Sequence, residues 1–507
     1  MNQIAPPLYL WLTVLPAVLP LMGGALCVAL RRHCGLQRWL ALIILFGELL
    51  LNIALLNLVE IDTVVSLTMG NWLPPFGISF TVDMLSAVLA LTATTVGIIC
   101  CLYALQDVDE GSTRFGFYPM LLVLIAGMNG AFLTGDIFNL YVWLEILLIS
   151  SFGLMILGGA PLQLDGAVKY AFLNLIGTTI FLIATGLLYG ALGTLNFADL
   201  IAKAQSYPEP RLLVVIALLY LTALVMKAAG FPLFFWLPAS YHTPQFVVSA
   251  LFAALLTKVG VYGIYRIFST IFAGSDFGFL NTILVWIACL TMVLGACGAL
   301  AQNRLRPMLG YVVISGIGYM LAGYALTTDA GRSAGIFYML QSMLVMSGLY
   351  LLAGLIGGRH MVEGDASTAL YASRPMLATC FLILAAATAG LPPFPAFWSK
   401  FALVRESLGL DLPWLAASLL LSGFLVTIAL ARSFAGLFWT TSGPAHDPSV
   451  ARPTPAGSAA LIPAFIVVLM IAGLGLFPDG FYRLSEQAAS GLSDYRAYIA
   501  AVLGGVS

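Results

Sequence analysis

Apolar runs of about twenty residues follow one another along nearly the whole of this chain, each long enough to cross a bilayer as a helix. Only 8% of the 507 residues are charged and 61% are hydrophobic. Soluble domains carry roughly 25% charged residues, so a water-facing surface of this size cannot be built from so few. The chain is therefore read as an all-α polytopic membrane protein with about 14 transmembrane helices and no sizeable soluble domain. A formal net charge of -1 leaves no electrostatic footprint for nucleic acid. The seven cysteines include no C-x-x-C pair, and Cys100, Cys101, Cys289, Cys297 and Cys380 lie in apolar segments. That argues against a disulfide framework, a zinc site or an iron–sulfur cluster, so no metal and no cofactor is expected. The opening MNQIAPPLYLWL lacks a basic n-region, and the first apolar run is expected to be a retained helix.

The predicted spans lie near 8–30, 39–59, 83–106, 115–134, 137–158, 167–190, 211–237, 244–272, 279–301, 307–327, 332–357, 375–405, 412–438 and 459–477. Ser66 to Asp83 is too short and broken to span, and its alternating residues around Pro74-Pro75 predict a surface hairpin. Asn196 to Gln205 reads as a short amphipathic segment at the interface. Thr440 to Ser458, rich in Pro, Ser and Ala, reads as a solvated linker. Four regions follow: 1–110 with the first three helices and the hairpin, 111–275, 276–438, and 439–507 with the last helix and tail.

Arginines set the expected orientation. Arg31, Arg32, Arg38, Arg114, Arg304, Arg306, Arg359, Arg374, Arg432 and Arg452, together with Lys169, fall in or beside loops after odd-numbered spans. Lys203, Arg211, Arg266, Arg332, Arg405, Arg483 and Arg496 fall on the other side. The excess predicts both termini on the outer face.

Lysine behaves differently. Of five lysines, Lys227, Lys258 and Lys400 fall inside spans rather than at their ends. An ionisable group at membrane depth costs about 2.5–3.5 kcal/mol even on insertion scales, and by default marks a pathway or site. Lys227 precedes a helix break at Gly230 and Pro232, and Lys400 follows a matching break at Gly390, Pro392 and Pro393, five spans later. Corresponding Gly/Pro-broken helices in two halves point to a repeat-built transporter.

Each candidate also has a plain structural reading. Glu145, about 13 Å along its helix from Asp136, needs a partner in an apolar span, and Lys227 is the natural one; the plain alternative is a static ion pair. Lys258 has no carboxylate on its own helix and suits proton loading and release, or else it hydrogen-bonds carbonyls of a neighbouring broken helix. Lys400 either belongs to the site or snorkels. His242, beside Pro244, is a proton collector or a loop histidine. Asp136 is expected to cap its helix. Glu48 is isolated in the second span, and sequence does not choose between pairing and function. Lys169 and Asp165 form an exposed i,i+4 pair. Gly316-x-Gly318 lacks a nucleotide-site context and reads as close helix packing. No P-loop is present, so ATP is not expected to drive the chain directly.

TGDIFNLYVWLEI, LDGAVKYAFLNLIGTTIFLIATGLLYGALGTLNFADL, MKAAGFPLFFWLPASYHTP, SALFAALLTKVGVYGIYR and GLPPFPAFWSKF together resemble the D subunit of Mrp-type multisubunit cation/proton antiporters. That family is similar to the antiporter-like subunits of respiratory complex I. The likeness runs in order from about Thr81 to Arg432. It implies two inverted five-helix repeats, broken helices 7 and 12, a bacterial inner-membrane location and other hydrophobic subunits as partners. It also implies a Glu145–Lys227 pair, Lys258 as central relay and Lys400 at the second break, moving protons against a monovalent cation, Na+ first. One departure stands out: relatives commonly carry histidine where this chain has Gln341. The competing expectation is a proton-pumping subunit of complex I or a membrane-bound hydrogenase.

Overall fold

The computed structural model describes residues 7–70, 72–274, 277–357, 374–439 and 458–504. Arg359, Arg452 and nearly all of the expected linker lie outside them.

The described chain is helical apart from one hairpin. It runs α1 (Leu15–Ala29), α2 (Cys34–Asp62), β1 (Val65–Thr68), β2 (Ser79–Val82), α3 (Met84–Asp107), α4 (Glu110–Arg114), α5 (Phe117–Leu133), α6 (Ile137–Met155) and α7 (Pro161–Leu192). Next come α8 (Phe197–Ala204), α9 (Pro210–Ala228), α10 (Trp236–Ser240), α11 (Phe246–Thr270), α12 (Gly278–Ala301), α13 (Leu305–Ala325) and α14 (Asp329–Gly357). The chain closes with α15 (Pro375–Ala389), α16 (Pro395–Gly409), α17 (Pro413–Phe434), α18 (Ile462–Leu476), α19 (Asp479–Ser493) and α20 (Arg496–Leu503). Among the described residues, ten helices are long and apolar enough to cross a membrane, and α1, α5 and α15 are shorter apolar helices. The protein is thus an all-α polytopic membrane protein.

Helix ends follow local chemistry. Asp83, Asp136 and Asn196 each accept from a backbone N–H of the first turn and so cap α3, α6 and α8. Proline opens α7, α9, α15, α16 and α17, where its missing N–H costs nothing. The hairpin is antiparallel with Val65 opposite Val82, and it lies beneath Thr134 through a bridge from Phe80.

Burial grades the helices from the inside of the bundle to its periphery. In the most apolar windows of α11, α13 and α14, 94%, 94% and 89% of residues are buried, against 39% in α2, α7 and α17. The exposed residues of α2 include Trp39, Ile43, Phe46, Leu50 and Ile53, an apolar face suited to lipid. Close helix packing inside the bundle needs glycine. A Cβ on Gly318 would fall 2.7 Å from the backbone nitrogen of Met292, so α12 and α13 meet backbone to backbone there.

The sequence reading needs two corrections. Arg266 is not a loop cation: it is 3% exposed in α11, with Nη1 2.6 Å from Asp83 Oδ2 and Nη2 2.7 Å from Asp83 Oδ1. It therefore carries no weight in the orientation count. The last predicted span is followed by two further helices, α19 bent 78° from α18, and α20, which packs on α8.

Candidate functional site

Three lysines lie where regular helix fails. α9 stops at Ala228, Ala229 takes a left-handed φ of 60°, and Gly230 returns its N–H to the Val225 carbonyl. Phe231 N–H donates to Thr291 Oγ1 at 2.9 Å, and Trp236 Nε1 donates to the Met226 carbonyl at 3.1 Å, so the break is tied on both sides. Lys227 stands in the last turn of α9, 8% exposed, where helix dipoles present their negative end. It borders a cavity of about 20 Å³, room for one water, lined also by Tyr170, Asn174 and Trp236.

Glu145 is half-buried on α6, and its Oε1 is buried without a hydrogen-bond partner among the described residues. The expected ion pair is not closed: no Glu145–Lys227 contact within 4.0 Å occurs.

Lys258 is fully buried on α11, just after a π-helical stretch, Phe252–Leu256. The wider π turn opens the backbone, and Lys258 Nζ donates to the Ala253 carbonyl at 2.6 Å. The acceptor belongs to its own helix, not to a neighbouring one as the plain reading supposed. Two residues on, Gly260 allows α11 against α9: a Cβ there would lie 2.6 Å from Ala228 N. The lysine helix therefore runs along the broken end of α9.

The second break repeats the theme from the other side. α15 ends at Ala389, Gly390 is left-handed at φ 85°, and Pro395 begins α16. Lys400 reaches back from α16, donating to the Thr388 and Ala389 carbonyls at 3.1 and 2.8 Å. Its side chain fills the space beside Gly390, where a Cβ would meet Cδ at 2.8 Å. Lys227 and Lys400 thus both sit at the carbonyl end of the helix before a break, although one precedes the glycine and the other follows it.

Gln341 is 2% exposed on α14, and its Oε1 has no hydrogen-bond partner among the described residues. α14 packs against both the π stretch before Lys258 and the α16 segment that carries Lys400. Between them stand two residues that sequence did not single out. Lys400 Nζ lies 4.7 Å from the ring centroid of Tyr319, which stacks on Tyr338, three residues before Gln341, with centroids 5.1 Å apart. Tyr319 Oη donates to the Leu419 carbonyl at 2.7 Å and lies 2.8 Å from Ser422 Oγ. Tyrosine in an apolar helix is too common to flag; the only hint was its place directly after the small residues of Gly316-x-Gly318.

The remaining candidates are local. Asp136 accepts from Asn139 N–H at 2.7 Å. His242 Nδ1 lies 2.8 Å from the Pro238 carbonyl at the end of α10. Lys169 and Asp165 are 2.5 Å apart and exposed.

The fold and these contacts define a multi-pass helical membrane protein that holds buried or half-buried lysines where its helices are interrupted. The chain belongs to the NADH:quinone oxidoreductase/Mrp antiporter transmembrane family, which matches residues 134–426. It is 34% identical to the D subunit of the Na(+)/H(+) antiporter of Alkalihalophilus pseudofirmus over 97% of this chain and 99% of that one. The same identity and coverage hold for the corresponding antiporter protein of Bacillus subtilis. Among solved structures, the Mrp complex from Dietzia sp. DQ12-45-1b superposes with a TM-score of 0.91 at 30% identity, covering 98% of this chain and 100% of that chain. Respiratory complex I from Thermus thermophilus superposes at 0.81 with 26% identity, covering 95% and 99%.

Proposed function

We propose that the chain is the proton-translocating subunit of a multisubunit monovalent cation (Na+)/H+ antiporter in a bacterial inner membrane. The observation that carries this reading is Lys258, fully buried and bound to a carbonyl that a π turn leaves within reach. A lysine held by a neutral acceptor, with no carboxylate to fix its charge, can release and regain a proton. End-to-end similarity to antiporter D subunits favours exchange over a redox-driven pump, whose complex I relative aligns at lower identity.

In this reading α1, α5, α18 and the broken α15–α16 also cross the membrane and bring the spans to about 14. Regions 111–275 and 276–438 act as two inverted five-helix repeats meeting at the breaks. Both termini face outward. Protons enter near Glu145 and Lys227, pass Lys258, and reach Lys400 along α14; the cavity beside Lys227 has room for a bridging water. Asp136 and His242 have structural roles at helix ends.

The test uses the assembled complex in vesicles with a proton-sensitive dye. Glu145→Ala and Lys227→Ala should each abolish Na+-dependent proton movement while assembly persists. Normal transport in either variant removes that residue from the route.

A further inference from the structure

A second buried carboxylate lies away from the lysines. Glu48 of α2 is 0% exposed, as are Asn52, Thr94 of α3 and Asn129 of α5. Thr94 Oγ1 donates to Glu48 Oε1 at 3.3 Å, Asn129 Nδ2 donates to the same oxygen, and Asn52 Nδ2 donates to Thr94 Oγ1 at 2.9 Å. α1 adds a backbone group. Pro20 lies inside it and has no N–H, so the carbonyl of Pro16, four residues earlier, loses its helical donor. Asn129 Nδ2 stands 3.5 Å from that carbonyl.

Four helices thus converge on one carboxylate, and every other member offers a neutral oxygen. Three buried oxygens, Glu48 Oε2, Asn52 Oδ1 and Asn129 Oδ1, have no hydrogen-bond partner among the described residues. No Lys, Arg or His lies within 4.0 Å of Glu48 among those residues either. A carboxylate this deep is paired, holds a cation or takes up a proton; it is not left bare.

We propose that Glu48, Asn52, Thr94, Asn129 and the Pro16 carbonyl form a binding site for a dehydrated monovalent cation, Na+ being the ion the antiport reading supplies. Carboxylate, amide, hydroxyl and carbonyl oxygens are the donors a hard cation takes. One carboxylate balances one positive charge, whereas a divalent ion would leave an uncompensated charge in an apolar bundle. The amides of Asn52 and Asn129 turn between presenting N–H and oxygen, and so serve both the loaded and unloaded states. When the cation leaves, Glu48 takes a proton, and the two ions exclude each other on a single carboxylate. The inference deepens the antiport reading by giving the cation a place outside the lysine route.

The experiment is infrared difference spectroscopy of the purified complex, exchanging choline chloride for NaCl at constant pH. The expected result is loss of a protonated-carboxyl band on adding Na+, absent in Glu48→Gln and retained in Glu145→Gln. A Na+ response unchanged in Glu48→Gln, or no response in the native complex, overturns the site and leaves Glu48 a plain hydrogen-bonded acid. Should Glu48→Gln fail to assemble, Thr94→Val decides: about a tenfold higher Na+ requirement supports the site, and an unchanged one overturns it. Because the band reports binding and not flux, this result is separable from the vesicle assay. Loss of antiport function in the native complex would sink the proposed function without touching the binding measurement.

Discussion

At the scale of single residues, Lys258 and Gln341 give the sharpest tests. Arginine keeps the charge of Lys258 and satisfies the Ala253 carbonyl, yet it does not release its proton. Lys258→Arg should therefore assemble normally and lose transport by about 100-fold, the lower end of what a positioned proton-transfer group contributes. Retained flux at matched expression would make the lysine a structural cation. Gln341 cannot carry a proton itself, but its free Oε1 can order water on the helix that touches both lysine segments. Gln341→Leu should cut the rate sharply, and Gln341→His should match or exceed the native rate. Normal transport in the leucine variant would show that the route avoids this face of α14.

At the scale of elements, the inner helices are locked by the Asp83–Arg266 pair. It joins the start of α3 to the C-terminal end of α11 across 183 positions, and the Arg266 guanidinium lies 5.5 Å from the rings of both Tyr262 and Tyr498. The C-terminal helix α20 is thereby clamped to the core. Removing one partner strands a buried charge, so Arg266→Leu should cost about 3–5 kcal/mol. Adding Asp83→Leu should recover part of that loss, because no buried charge is then left unpaired, while the Ser86 N–H loses the cap that Asp83 gives it. Thermal unfolding of the purified complex reads both; equal damage from single and double variants would mean packing, not charge, is what the pair provides.

At the scale of the whole molecule, the proposed function makes the chain a part and not a machine. Expressed alone in cells lacking sodium exporters, it should insert yet give no Na+-dependent proton flux. Robust flux from the purified single chain would show the opposite. Much of this was legible in sequence, because a lysine in a run of apolar residues is a discontinuity that needs no neighbour to be seen. The breaks at Gly230-Pro232 and Gly390-Pro392 were legible for the same reason. What was hidden depends on distant partners. Arg266 looks identical whether it faces water or Asp83. Glu48 reads as isolated because, Asn52 on its own helix apart, its companions come from three other helices. Tyr319 and Tyr338 acquire meaning only when stacked beneath Lys400. The tail helices α19 and α20 were missed because amphipathic runs after a last span resemble ordinary tail sequence.

The π stretch before Lys258 can also be counted as arithmetic: five residues occupy the room of a regular turn and a little more, so one is surplus. Deleting Ala254 should let the segment relax into α-helix while the faces before and after it keep their alignment. The complex should then assemble, but the lysine would lose its acceptor and proton flux would fall. Deleting Val261 from the regular part instead turns everything downstream by about 100°, carrying Arg266 away from Asp83, and should block assembly. A helix that tolerates losing a residue at one place alone would mark that residue as an insertion kept for what it does to the side chain beyond it.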